Sequence, residues 1–174
     1  MEKVMENYAL SIANYFVELS QQDGRILRPL KLMKLVYIAH GYMLALLDRP
    51  TDGVKLEKVE AWQYGPVFPS VYYSFKSYGG NPITEETTVM DFSRIVRNDG
   101  FGMFAPELSD EREKAVCRFV WEKYAIYTDS SLVTILHAKD TPWERLYEKD
   151  RNVIIPDNDT KTYYKDIIKR TLES

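Results

Sequence analysis

The block from Leu30 to Leu47 constrains this chain more than any other segment. From Leu35 onward it is apolar or aromatic at every position except His40 and Gly41. A helix built from such residues has no wide polar face to give to water, so other elements have to surround it. Its charged residues are Lys31 and Lys34. Their spacing puts both on one narrow face, which is expected to look outward near the N-terminal end. The run is too short to span a bilayer.

The remaining chain supplies candidates for that surround. Met5, Tyr8, Ile12, Phe16 and Leu19 recur at helical steps and predict a helix over 4–21, broken by Asp23-Gly24. Pro29 fits the first turn of the second helix, over 29–47. The segment 56–62 reads equally as a short strand or a helical turn. Tyr64-Gly65-Pro66 is a sharp turn. A third helix is expected over 69–78, with Val71, Tyr72, Phe75 and Tyr78 inward and Gly79-Gly80 as its stop.

Segment 83–104, rich in Thr, Val, Phe and Ile, reads as a small hairpin turning at Asn98-Asp99-Gly100. Ser109 is the expected N-cap of a helix reaching Tyr127, with Val116, Phe119, Val120, Tyr124 and Tyr127 inward and Trp121 in the core. A short helix starts at Ser130 or Ser131. Thr141-Pro142-Trp143-Glu144 is a capping box. The last helix is expected over 160–172. The fold class implied is mainly α: one domain over 1–174, of about six helices with a β-hairpin insert.

The chain has 174 residues, enough to bury a substantial core, and a net charge of −3. That balance gives no electrostatic reason to expect nucleic acid as partner. One cysteine, Cys117, excludes an internal disulfide and fits a reducing cytoplasm. No basic-then-apolar leader pattern opens the sequence. The expectation is a cytoplasmic protein.

Groups able to break bonds are sparse. The two histidines, His40 and His137, form no HExxH pair, and Cys117 lacks a cysteine partner at zinc spacing. No phosphate-binding glycine loop or Gly-x-Ser-x-Gly elbow occurs. No cofactor or metal is expected. Arg25, Arg28, Lys31 and Lys34 form the most basic local cluster, read as a solvated helix end with phosphate contact as the alternative. The 13 tyrosines suit half-buried positions and interfaces.

Tyr37, His40, Trp62, Tyr64, His137 and Trp143 are the candidate partner-binding residues. They are expected to converge in a groove between the second helix, the turn at 62–68 and the cap at 141–143. The insert at 83–104 is a second candidate surface. These features point to a non-enzymatic binding module. The alternatives are a metal-dependent hydrolase using His40 or His137 and a phage nucleic-acid-binding factor.

Three blocks carry a family resemblance. Leu30-Lys31-Leu32-Met33-Lys34-Leu35-Val36-Tyr37 with His40-Gly41, Glu60-Ala61-Trp62-Gln63-Tyr64-Gly65-Pro66-Val67, and Val71-Tyr72 through Tyr78-Gly79 resemble the Panacea domain of SocA-like antitoxins, which includes phage-associated GepA-like proteins. Leu136-His137 through Pro142-Trp143 is similar to a later element of that family. The resemblance implies an antitoxin carried on prophages or mobile elements that neutralises a cognate toxin by direct binding. It also implies, for one branch, delivery of the toxin to a ClpXP-type protease.

Overall fold

The structure is a computed structural model that describes residues 7–52, 57–97 and 102–174. Helix α1 spans Tyr8–Asp23 and stops where Gly24 enters the left-handed region at φ 68°. Helix α2 spans Pro29–Leu46, with its proline in the first turn. Strands β1 (Val59–Trp62) and β2 (Gly65–Val67) form a hairpin. Helix α3 (Pro69–Phe75) tightens into a 3-10 turn over Lys76–Tyr78. The chain continues through β3 (Val89–Met90), α4 (Phe92–Val96), β4 (Met103–Phe104), α5 (Glu111–Tyr124), α6 (Asp129–Leu136), α7 (Pro142–Leu146), β5 (Val153–Ile155) and α8 (Asp157–Glu173).

The fold is mainly α, as the residue pattern predicts, with eight α-helices among the described residues rather than about six. Two short helices make the difference. Five-residue α4 lies inside the expected insert, and five-residue α7 follows the Thr141 cap. The hairpin of the insert is real, pairing Val89 with Phe104 and Met90 with Met103. Its expected turn at residues 98–100 lies outside the described residues, as do the first residues of the predicted α1 and Leu56.

Residues 59–62 resolve as strand, paired on one side with the adjacent β2 and on the other with a partner from far along the chain. β5 pairs antiparallel with β1, giving a three-stranded sheet of order β2-β1-β5. Three-residue β5 carries too little alternation to announce itself in the sequence.

Helix α2 is the axis of the molecule. It touches α1, α3, α5, α6, α8 and β2. From Leu35 to Leu44 all of its residues are buried. Helix α8 lies so close that a Cβ at Gly41 would overlap the Tyr164 ring. The polar tips of α2 are bonded to its neighbours. The Tyr37 hydroxyl meets Thr160 Oγ1 of α8 at 3.3 Å, and the Tyr42 hydroxyl meets that of Tyr124 of α5 at 2.9 Å.

Several boundaries and facings differ from the sequence expectation. Lys34 points inward and is 1% exposed. Asp110, not Ser109, caps α5, its carboxylate accepting from the Arg112 N–H at 2.8 Å. That helix stops at Tyr124, short of Tyr127, and both Phe119 and Tyr127 are exposed rather than inward. Trp121 is in the core as expected. Helix α6 begins one residue early because Thr128 is its cap, accepting from Ser131 N at 3.1 Å. Helix α8 begins at Asp157, where two carboxylates favour its N-terminus. Among the described residues no helix is long and apolar enough to cross a membrane.

Gly41→Ala tests the α2–α8 contact. The added methyl forces the Tyr164 ring or the helices apart, and the expected cost is about 1–3 kcal/mol, read as a lower melting temperature.

Candidate functional site

Four of the six candidate residues gather at one end of the β1–β2 hairpin. The Trp143 indole N–H donates to the Trp62 carbonyl at 2.7 Å. His137 stacks on Trp143 with ring centroids 3.5 Å apart, and Tyr147 covers the other side at 4.6 Å. Trp62 meets Tyr72 edge-on at 5.0 Å and donates its own N–H to Glu60. Tyr64, in the turn between the strands, is 61% exposed. The stack therefore braces a hairpin whose tip presents one ring to solvent.

The Thr141 cap holds α7 in place for this stack. Thr141 Oγ1 accepts from the Glu144 N–H at 3.2 Å. The Glu144 carboxylate accepts in return from the Asp140 N–H at 3.2 Å, one residue before the partner a capping box ordinarily uses.

Tyr37 and His40 belong to the interior instead. His40 is 0% exposed. Its Nε2 lies 3.0 Å from Asp157 Oδ1 and its Nδ1 lies 2.9 Å from the Tyr8 hydroxyl. Burial raises the Tyr8 phenol well above its ordinary range, so that hydroxyl keeps its proton. It donates to the Met43 sulfur at 3.6 Å while meeting Nδ1, and Nε2 meets the Asp157 carboxylate. Both ring nitrogens are engaged, and the imidazole ties α1, α2 and α8 together. Tyr37 packs edge-on against Tyr164 at 6.2 Å, beneath α8.

The expected groove between α2, the hairpin turn and the Thr141 cap is filled. Lys34 occupies it, donating to the Pro66 carbonyl at 3.1 Å. A Cβ at Gly65, whose φ is 111°, would lie 3.0 Å from Lys34 Nζ and 3.5 Å from His137 Nε2. Glycine there leaves the room in which an amine and an imidazole edge meet the backbone. His137 Nε2 is buried and has no hydrogen-bond partner. Burial lowers the Lys34 ammonium to about 7. Burial, and then the nearby Lys34 charge, lower the His137 imidazolium.

Sequence reasoning missed Lys34. The signal was on its own helix face: Leu30 and Ile38 stand four residues either side of it. Lys31 is different, being half-buried with its amine donating to the Ala125 carbonyl at 3.1 Å. The open space lies nearby, as a groove of about 810 Å³ between the first turn of α2, Tyr64, the α5–α6 connection and α6. Among the described residues no three of His, Cys, Asp and Glu come together as a metal-holding group.

The sequence matches the model of the family described as antitoxin SocA-like, Panacea domain, over residues 32–144. The chain belongs to this family. All six candidate residues, together with Lys34 and Gly65, lie inside the Panacea match, whereas Asp157 and Tyr164 lie beyond it. Antitoxin SocA of Caulobacter vibrioides (strain NA1000 / CB15N) is 28% identical over 141 residues, covering 78% of this chain and 68% of the relative. No solved structure matches the chain significantly.

Lys34→Met tests the buried amine in this Panacea chain. The unfolded chain keeps the Lys34 proton up to about 10.5, and the folded chain releases it near 7. Between those values the unfolded state binds more protons, so wild-type stability gains from Lys34 deprotonation as pH rises. Denaturant titrations from pH 7 to 10 should show the variant more stable at pH 7, by on the order of 1–3 kcal/mol. The difference from wild type should shrink toward pH 10.

Proposed function

We propose that this chain is an antitoxin that neutralises a cognate toxin protein by direct binding and catalyses no reaction. The observation that carries this reading is the family match over residues 32–144. The relative named Antitoxin SocA supports it. The geometry is compatible in two respects. His40 is enclosed and bonded on both nitrogens, which leaves no ring nitrogen for a substrate. The exposed Tyr64 ring stands on a hairpin held by the Trp62–Trp143–His137 assembly, so binding it costs little ordering entropy.

In this reading Tyr64, with the half-buried edges of Trp62, His137 and Trp143, contacts the toxin. Tyr37 and His40 act by positioning the helices behind them. Delivery to a ClpXP-type protease would need a second surface on the same chain. The insert offers one, because Phe92, Ile95 and Val96 of α4 are exposed beside Met90 and Met103. A prophage or mobile-element setting would place the toxin gene beside this one.

Co-expression with the product of the neighbouring gene tests the proposal. Wild-type chain should restore growth and bind that product directly. Tyr64→Ala should weaken binding at least about tenfold with an unchanged melting temperature. A purified wild-type chain that neither rescues growth nor binds the product would overturn the reading. So would a turnover abolished by His137→Ala. If the chain acts as an adaptor, deleting the host protease should slow toxin clearance, and Phe92→Ser should reproduce that defect while toxin binding persists.

A further inference from the structure

The groove beside Tyr64 has a definite chemistry. Its apolar lining comes from Leu30, Tyr64, Ile126 and Val133, and Ile126 is 66% exposed. Its basic wall is Arg28 and Lys31. Arg28 Nε donates to the Gly80 carbonyl and Lys31 Nζ to the Ala125 carbonyl, each at 3.1 Å. Neutral carbonyls thus fix both side chains without neutralising them. Neither cation has a carboxylate within ion-pair distance among the described residues, although Asp129 also lines the groove. Two cations above an apolar floor, with only the Asp129 charge acting against them from the lining, form a local positive edge on a chain whose net charge is −3.

We propose that this groove docks a short segment of a partner polypeptide carrying a large aliphatic or aromatic side chain next to an aspartate or glutamate. The apolar side chain covers Ile126 and Val133 beside the Tyr64 ring. The carboxylate meets Arg28 and Lys31, where a charge-assisted hydrogen bond fits the guanidinium fork. A nucleic acid suits the groove less well. Arg25 is paired with Asp23 at 2.8 Å and Lys34 is buried. Two cations over an apolar floor are too few to hold a polyanion at ordinary salt. The proposal deepens the antitoxin reading by naming the chemistry of the contacted segment. It rests on that reading only for making a toxin the bearer of the segment.

A display library of random peptides of about twelve residues, panned against the full wild-type chain, tests this directly. Enriched peptides should pair Asp or Glu with Leu, Ile, Phe or Trp. Titrated against Ile126→Glu and Arg28→Glu, they should bind at least about tenfold more weakly than to wild type. Their affinity for wild type should fall as salt rises. Both variants should keep the wild-type melting temperature, since both side chains are exposed. Enrichment of a different pattern, or equal binding by the variants, would overturn the proposal. Tight binding of a single-stranded oligonucleotide that Arg28→Glu abolishes would overturn it in favour of nucleic acid. A chain that neutralises its toxin yet yields no acidic-apolar peptide sinks the groove and leaves the antitoxin reading standing. The opposite pair of results sinks the antitoxin reading and leaves the groove.

Discussion

Enclosing α2 on nearly every side is the constraint on which the rest of this structure depends. Five helices and a strand meet it, and its middle ten residues reach no solvent. Apolar burial favours the enclosure, but the polar groups on that helix would lose more than they gain unless each finds a partner. They find partners on different neighbours. His40 and Tyr37 bond to α8, His40 also to α1, Tyr42 to α5, and Lys34 to the Pro66 carbonyl. The bonds therefore specify which element lies where, a choice that oily contact alone leaves open.

Lys34 is the exception to comfortable satisfaction. An ammonium has three donors, and only the Pro66 carbonyl receives one here. The cost is met by lowering its pKa toward neutrality. Its burial also redistributes surface charge. Of the four basic residues at the start of α2, one is inside and one is paired with Asp23, which leaves Arg28 and Lys31 on the groove. A patch that reads as basic along the chain becomes a modest positive edge beside apolar rings in space. That combination suits a polypeptide better than a phosphate backbone.

The brace at the hairpin and the exposed ring it carries belong to one assembly. Trp143 reaches Trp62 by a hydrogen bond across 81 residues of chain, and His137 and Tyr147 sandwich its ring. Rings that are stacked or bonded have little freedom left, so the Tyr64 turn between them and the groove is pre-formed. The exposed rings and aliphatic side chains around that groove are set by where elements end. Tyr64, Ile126 and Tyr127 all lie in connections, where side chains escape the core.

Long, strongly patterned elements were legible from residues alone. The periodic stripe of α1, the apolar run of α2, the Thr141 cap and the hairpin pairing of the insert follow from local chemistry that needs no distant partner. Residues 59–62 stayed ambiguous because their apolar spacing also fits a helical turn, and one of the two strands that flank them, β5, lies some ninety residues on. Lys34 and Lys31 are one helical turn apart and chemically alike, yet one is buried and one lines a groove. His40 and Tyr37 looked as available as Trp62 until α8 covered them. The amino-acid sequence by itself determined that α2 must be enclosed, that the fold is mainly helical, and that the family is that of the Panacea antitoxins. Only the tertiary structure decided which polar groups went inside with it, because burial depends on what packs against a face and not on the residue that occupies it.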